Sequence, residues 1–573
     1  MSKWCWLFWT AALWGQTADD PVLRAMRDET ARAAQLRLPT LESPYFTEIS
    51  LDDGRSVSAA ATLGALVRSA ENRYRLPRVQ VRVGSYEFDN GNYAGSAFPF
   101  AGRYDVGGFP LDDAYAAMRR VFWLALDQTY KSSVEAIARK RAALKSVTVP
   151  DQLPDFHRAE PFRLVEPIRL AGVDRSAWEA RVKALSAIFH GFPAALASGV
   201  EFEDIQNVHY LVNSEGTEIR VLERVAYVRA RARAQAGDGM FLHDAVSFYA
   251  KDGAELIGDP AIPRAIAHLA ESLTALAQAP MGETYSGPVL IEGSAAPQFF
   301  AQVLGKNLSL FRRPVVEPGR TPAFPANELE GRIGSRILPE WMDVVDDPTQ
   351  AEWRGRKLFG HYRADMEGVP PEPLSIVEKG VLKNFPLTRQ PQRGSTKSNG
   401  RARLPGPFGN YVAGFGNLFV QARETVPAGE LRRKLLEMVA ARGKPYGLII
   451  RKLDFPASSS FDELRRTLGA AGRGAPVSAP VLAYRVYPDG REELVRGLRF
   501  RTVSVRTLRD IQAAADDAHA LDFLDNGAPL ALLGAGGYVA ECTVVSPSVL
   551  IDDVDLERIE GELPKRPVTP PPV

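Results

Sequence analysis

The chain has 573 residues, an apolar fraction of 45%, a charged fraction of 24% and a formal net charge of +1. That length exceeds one hydrophobic core and implies about two to four domains of ordinary globular composition. The near-zero charge supplies no bulk field for nucleic acid or an anionic membrane, so neither is expected as a partner.

The chain opens MSKWCWLFWTAALWGQTADD, with Lys3, an apolar run from Trp4 to Trp14, then small and polar residues. This is the layout of a signal peptide over residues 1–18, with cleavage after Gly15 or Ala18; the competing reading is an amino-terminal helix packed on the protein. The run is short for a bilayer span, so no stable membrane anchor is expected, and the mature protein would be periplasmic or secreted from a bacterium. Removal would take Cys5 and leave Cys542, with no disulfide possible inside the chain.

Residues 22–280 read as an amino-terminal α/β domain with subregions of about 22–110 and 111–280. LRAMRDETARAAQLRL has the period of an amphipathic helix, and LPRVQVRVGSYEFDNGNYAG alternates like strands around a D-N-G turn. Leu111 to Lys145, free of Gly and Pro, predicts one long helix or two abutting ones, and DRSAWEARVKALSAIF predicts another. NVHYLVNSEGTEIRVLERVAYVRARARAQAGDG predicts a hairpin turning at Ser214, Glu215 and Gly216. On its second strand Arg229, Arg231 and Arg233 share a face with Tyr227; they would form a basic cleft wall or, as we read it, a solvated sheet face. A helix over Ile262 to Gln278 closes this half.

Residues 285–553 read as a strand-rich carboxy-terminal domain, interrupted by the helix AGELRRKLLEMVAARG, with turns at Lys379–Gly380 and Asp489–Gly490. A Pro-rich tail, 560–573, follows. The fold class is therefore α+β. After YSGPVLIEG, the stretch from Ser294 to Leu310 reads as a buried helix, with Ser294 as N-cap and Phe300, Val303, Leu304 and Leu308 on one face.

The residues alone display no catalytic set. The seven histidines include no pair at the spacing of a helical zinc site, and G-x-S-x-G is missing. Cys542 falls in a predicted strand and reads as a small core residue. Asp346 and Asp347 read as a strand end and turn rather than a cation site.

GPVLIEGSAAPQFFAQVLGKNL, VVDDPT, DMEGVPPEPLSIVEKGVLKNFPLTR, SNGRARLPGP and VSPSVLIDD, in this order, resemble the TldD/PmbA family, and NVHYLVNSEGTEIR is similar to its amino-terminal hairpin. The resemblance implies an amino-terminal α/β domain, a carboxy-terminal domain of curved antiparallel sheet, and two chains paired around a cavity for unfolded or small peptides. In catalytic members an H-E-x-x-x-H motif on the helix after the G-P-V-L strand binds zinc, and a cysteine near the carboxyl end completes the site. On this chain Ala301, Gln302 and Lys306 fall at the first histidine, the glutamate and the second histidine, while Gly305 is retained. The segment matching the cysteine, LDFLDNGAPLALLGAGG, contains none.

The resemblance therefore points to the non-catalytic partner: a chain with no catalytic or metal residues and no cofactor of its own, zinc being expected only in a catalytic TldD-like homologue paired with it. Two alternatives stand beside this heteromeric metallopeptidase subunit. One is an active hydrolase with relocated ligands such as His361 and Asp365, the other a stand-alone peptide-binding protein.

Overall fold

The computed structural model describes residues 20–560 apart from 38, 40, 96–102, 106, 147–151, 318, 320–326, 407–409, 459–476, 528, 532 and 534–538. The expected signal segment and all but the first residue of the expected tail lie outside the described residues. The chain is α+β, built on two large sheets.

The first sheet starts with a long hairpin, β1 (Pro44–Thr62) and β2 (Ala65–Val83), joined through Leu63 and Gly64 at φ 43° and 70°. Two successive residues at positive φ give the turn whose twist matches that of the strands it joins. β3 (Arg103–Asp105) pairs with β2 and β4 (Arg163–Val165) lies at the far edge. The predicted hairpin is β5 (Ala197–Asn213) and β6 (Glu218–Gln235), with β7 (Phe241–Ala250) added to β6. Strand order is β3-β2-β1-β5-β6-β4, with β7 on β6. The sequence D-N-G at Asp89 to Gly91 does not turn a hairpin. It forms an irregular loop because buried Asp89 is fixed by Tyr45 Oη at 2.6 Å and Arg82 Nη1 at 2.8 Å.

Helices cover one face of this sheet. α1 (Pro21–Ala33) and α2 (Tyr115–Leu144, a single helix) pack on Ile49, Leu51, Val79 and Val81. α3 (Arg175–Ala187) and α4 (Ala261–Gln278) pack on Ala59, Phe202, Val228 and Ala230, with Trp178 stacked on Phe202 at 3.5 Å. The small side chains of VAYVRARARA let these helices approach closely. The opposite face is polar and turns toward the second sheet.

That second sheet contains β8 (Tyr285–Ile291), β9 (Met342–Asp346), β10 (Leu374–Glu378), β11 (Val381–Leu382), β12 (Asn417–Ala422), β13 (Gly447–Leu453), β14 (Pro480–Val486), β15 (Glu492–Val495), β16 (Leu498–Phe500), β17 (Ile511–Asp525) and β18 (Ala540–Arg558). Its order is β11-β10-β9-β12-β18-β8-β13-β14-β15, with β16 and β17 also on β18. Most pairs in this sheet are antiparallel, as expected, and two are not. β12 runs parallel to β18, and β8 parallel to β13. Parallel neighbours need long connections, and helices α5 (Ala295–Val303) and α6 (Ala428–Ala441) lie in the chain between β8 and β13.

Two fully buried arginines organise the loops between the sheets. Arg401 Nε meets Asp346 Oδ2 at 2.7 Å, and Gly416 N donates to Asp346 Oδ1 at 3.0 Å. Asp346 is thus an anchor, while Asp347 accepts from Thr349 N at 3.0 Å in a turn. Arg389 Nη2 meets Glu215 Oε1 at 2.7 Å, its Nε donates to His157 O at 2.8 Å, and its guanidinium lies 4.0 Å from the Phe156 ring centroid. Glu215 is held in place because Asn213 Oδ1 accepts from Glu215 N and Thr217 N, both at 3.0 Å.

Arg389→Met should strand the buried Glu215 carboxylate and cost about 3–5 kcal/mol in denaturant unfolding, much of it recovered by adding Glu215→Gln. Glu367, which accepts from Arg389 N at 2.7 Å, carries a pKa pushed up to about 8 by burial and by the nearby Asp365 charge. A carboxyl raised in the fold contributes stability below its unfolded pKa that is lost as pH rises through the folded one. Unfolding free energy should therefore fall as pH rises from 4.5 toward 8, and Glu367→Gln should flatten that slope.

Candidate functional site

Strand β8 ends at Ile291, the chain turns at Gly293 with φ 63°, and α5 starts at Ala295 with every residue buried. Ser294 occupies the N-cap position without capping: its hydroxyl donates to Arg451 O at 2.9 Å. The predicted helix to Leu310 is shorter, ending at Val303 and continuing as a 3-10 turn over Gly305–Leu308. The break suits Gly305 sterically, because a Cβ there would sit 2.6 Å from Cε1 of Phe415.

The residues at the motif positions are committed to structure. Ala301 is 1% exposed in the second core. Gln302, also 1% exposed, donates from Nε2 to Gln298 O at 2.9 Å and accepts from Ser478 N at 2.7 Å. Lys306 Nζ lies 2.8 and 2.9 Å from the two carboxylate oxygens of Asp525, whose side chain is 6% exposed. Zinc does not fit this constellation. A methyl group cannot ligate, the carboxamide has used both ends, and the ammonium neutralises the nearby carboxylate.

Cys542 borders the same place. Its Sγ donates to Phe415 O at 3.4 Å, and burial, aided by the Asp525 charge, pushes the thiol pKa well up despite Arg403 and Lys306. It is a protonated core thiol rather than a nucleophile. His361 and Asp365 do not form a relocated centre. His361 Nδ1 lies 2.8 Å from Pro348 O, and the Asp365 carboxylate accepts from Glu367 N, Val369 N and Ala402 N. Among the described residues no group of three or more His, Cys, Asp or Glu side chains has the geometry to hold a metal ion. The segment Gly534 to Gly537, matching the ligand cysteine of catalytic members, lies outside the described residues.

The arginine face corrects the expectation of a solvated surface. Arg229 is buried, 3.0 Å from Glu201 and 4.6 Å from the Tyr227 ring centroid; Arg231 shares Glu201 at 2.8 Å, and Arg233 is exposed. This polar face meets the second domain. Tyr249 packs on Phe359 at 5.1 Å, Lys251 Nζ lies 3.4 Å from Glu541 Oε1, and Arg403 Nη2 3.0 Å from Glu541 Oε2. Glu223 feels the charges of Glu541 and Arg403. Glu541 and Cys542 are consecutive in β18 and face opposite sides of its sheet, Glu541 toward the polar face of the first sheet and Cys542 into the second core. Sequence reading missed Asp525, Arg403, Glu541, Glu223 and His209; the alternation of polar residues along β5 and β6 was the available signal.

The glutamate of the catalytic motif is poorly accommodated here. Gln302→Glu removes the donor to Gln298 O and should cost about 1–3 kcal/mol at neutral pH. Thermal or denaturant melts should show that loss shrinking in acid, where the protonated carboxyl donates again.

Residues 284–454 match the PmbA/TldA metallopeptidase C-terminal domain. An 81-residue segment is 37% identical to a metalloprotease of Archaeoglobus fulgidus, spanning 14% of this chain and 18% of that relative. TldE from Thermococcus kodakarensis superposes with a TM-score of 0.58 at 13% identity, covering 93% of this chain and 100% of that one. A protein described as a modulator of a DNA gyrase from Thermotoga maritima gives 0.55 at 14% identity over 89% and 96%. A similarly described protein from Bacteroides thetaiotaomicron gives 0.53 at 10% over 94% and 98%. Residues 284–454 thus match a carboxy-terminal domain of the PmbA/TldA metallopeptidase type, and the described residues share the fold of these solved structures.

Proposed function

We propose that this chain is the exported, non-catalytic subunit of a heteromeric TldD/PmbA-type metallopeptidase, pairing with a zinc-bearing homologue and shaping a cavity for unfolded or small peptides. The observation that carries the reading is the Lys306–Asp525 ion pair at the second histidine position of the metal motif. An ammonium held there repels a divalent cation, and neighbouring Gln302 cannot take a proton from water. Hydrolysis would then belong to the partner. A stand-alone peptide-binding role is the second reading, favoured by the polar face of the first sheet, where Asn207 Oδ1 and His209 Nε2 have no partner among the described residues.

Mature protein purified alone should hold no stoichiometric zinc at the 301–306 helix and should leave an unstructured peptide intact. Mixed with a homologue bearing intact H-E-x-x-x-H, it should co-elute in size-exclusion chromatography and raise peptide hydrolysis. Zinc lost on mutating this helix, or hydrolysis by the isolated chain, would overturn the subunit reading; peptide binding without co-elution would favour the stand-alone role. A reporter fused to residues 1–25 should cross the inner membrane, and retention of the uncleaved fusion in the cytoplasm would reject export.

A further inference from the structure

The polar face of the first sheet carries one row whose chemistry the proposed subunit role does not use. In register across four strands stand Tyr74 on β2, Gly54 on β1, Asn207 on β5 and Glu223 on β6. Tyr74 lies flat over Gly54, where any Cβ would sit 2.1 Å from its Cζ. Removing a side chain from the centre of the row lets an aromatic face lie along the sheet beside Asn207.

Three hydrogen-bond acceptors stand on the same sheet face as that ring, on neighbouring register positions. Asn207 is oriented by its Nδ2, which donates to Asp52 Oδ1 at 3.0 Å and to Glu223 Oε2 at 3.4 Å. Its Oδ1 is buried and has no partner among the described residues. His209, 3% exposed, has Nδ1 2.8 Å from Asp52 Oδ1, and its buried Nε2 likewise has no partner. Glu223 has no cation within ion-pair distance among the described residues and keeps partial solvent exposure.

A carboxylate, an amide oxygen and an imidazole nitrogen beside an aromatic face match a group with three N–H donors and one positive charge. An anion would be repelled by Glu223 and Asp52, and a divalent cation would find a single uncommitted carboxylate. We propose that this row is a recognition site for a primary ammonium group, supplied by the free amino terminus or a lysine side chain of a peptide lying between the two sheets. The peptide part of this assignment rests on the proposed function; the ammonium part does not.

Burial disfavours the charged form of His209, but the hydrogen bond and charge of Asp52 outweigh it and raise the pKa, with Glu223 adding to the rise and Arg78 opposing it. Nε2 accepts only after that proton leaves. Ammonium affinity should therefore increase as pH rises through the His209 titration.

Calorimetric titration of the full mature chain tests this with a lysine-free unstructured hexapeptide, its N-acetylated form, an N-acetylated form containing one lysine, and 1,5-diaminopentane. Acetylating the lysine-free peptide should weaken binding at least about tenfold, the loss of a charged hydrogen-bonded group. The lysine-containing acetylated peptide shows which source is used: recovered affinity assigns the lysine side chain as well, continued loss the amino terminus alone. Glu223→Gln should erase the preference for the free amine while melting no lower than the parent, since it removes an unpaired half-buried carboxylate. Tyr74→Leu should weaken the amine and leave the acetylated peptide unchanged. Equal binding of free and acetylated peptides would overturn the ammonium site while leaving peptide binding intact. Glu223-dependent binding of the diamine with no binding of any peptide would uphold the ammonium site and reject the peptide reading. Absence of binding by every probe, or an unchanged preference in Glu223→Gln, would overturn the proposal.

Discussion

The clamp between Arg389 and the hairpin turn at Glu215 fixes how the two halves of the chain meet. Arg389 is fully enclosed and, from the second half, holds the first through the Glu215 carboxylate, the His157 carbonyl and the Phe156 ring, while its own amide donates to Glu367. A buried guanidinium tolerates little displacement, because each lost partner leaves a desolvated donor. The turn is equally rigid, since Asn213 gathers its amides. With those loops locked, the polar face of the first sheet meets the second domain, as in the Tyr249–Phe359 and Lys251–Glu541 contacts.

Within the second domain, the helix α5 and the turn after it are held by contacts of residues 302, 305 and 306. Gly305 remains because Phe415 occupies the space a side chain would need. Gln302 bridges the Gln298 carbonyl and the Ser478 amide, and Lys306 is matched by Asp525. These contacts are local hydrogen bonds and one ion pair.

The sequence made the helices, the 214–216 turn and the strand before α5 legible, since each obeys a clean apolar period or a turn rule. The β1–β2 hairpin escaped notice for a physical reason. Residues such as Asp52, Ser56 and Ser58 are polar yet buried beneath the second domain, so TEISLDDGRSVSAAA lacks the apolar alternation of a strand with one wet face. The same property hid the polar row: Asp52 lies far in the chain from His209 and Glu223 and meets them only through strand register. Arg229 misled in the opposite sense. A charged residue on a sheet predicts solvent, but Glu201 and Tyr227 repay its burial. The motif positions at 301, 302 and 306 were readable from resemblance alone, while Asp525, the partner that gives Lys306 its meaning, carried no signal at all.

Strand β18, the last among the described residues, is also the axis of its sheet, pairing with β8, β12, β16 and β17. Until residues 540–558 are synthesised, those four strands lack the neighbour that joins them, and the second core has no centre around which to close. Closing it needs contacts across more than two hundred and fifty residues, from β8 at Tyr285–Ile291 to β18, and contacts of such separation form slowly. A nascent chain therefore carries the second core in an open form until this central strand has emerged to join its neighbours.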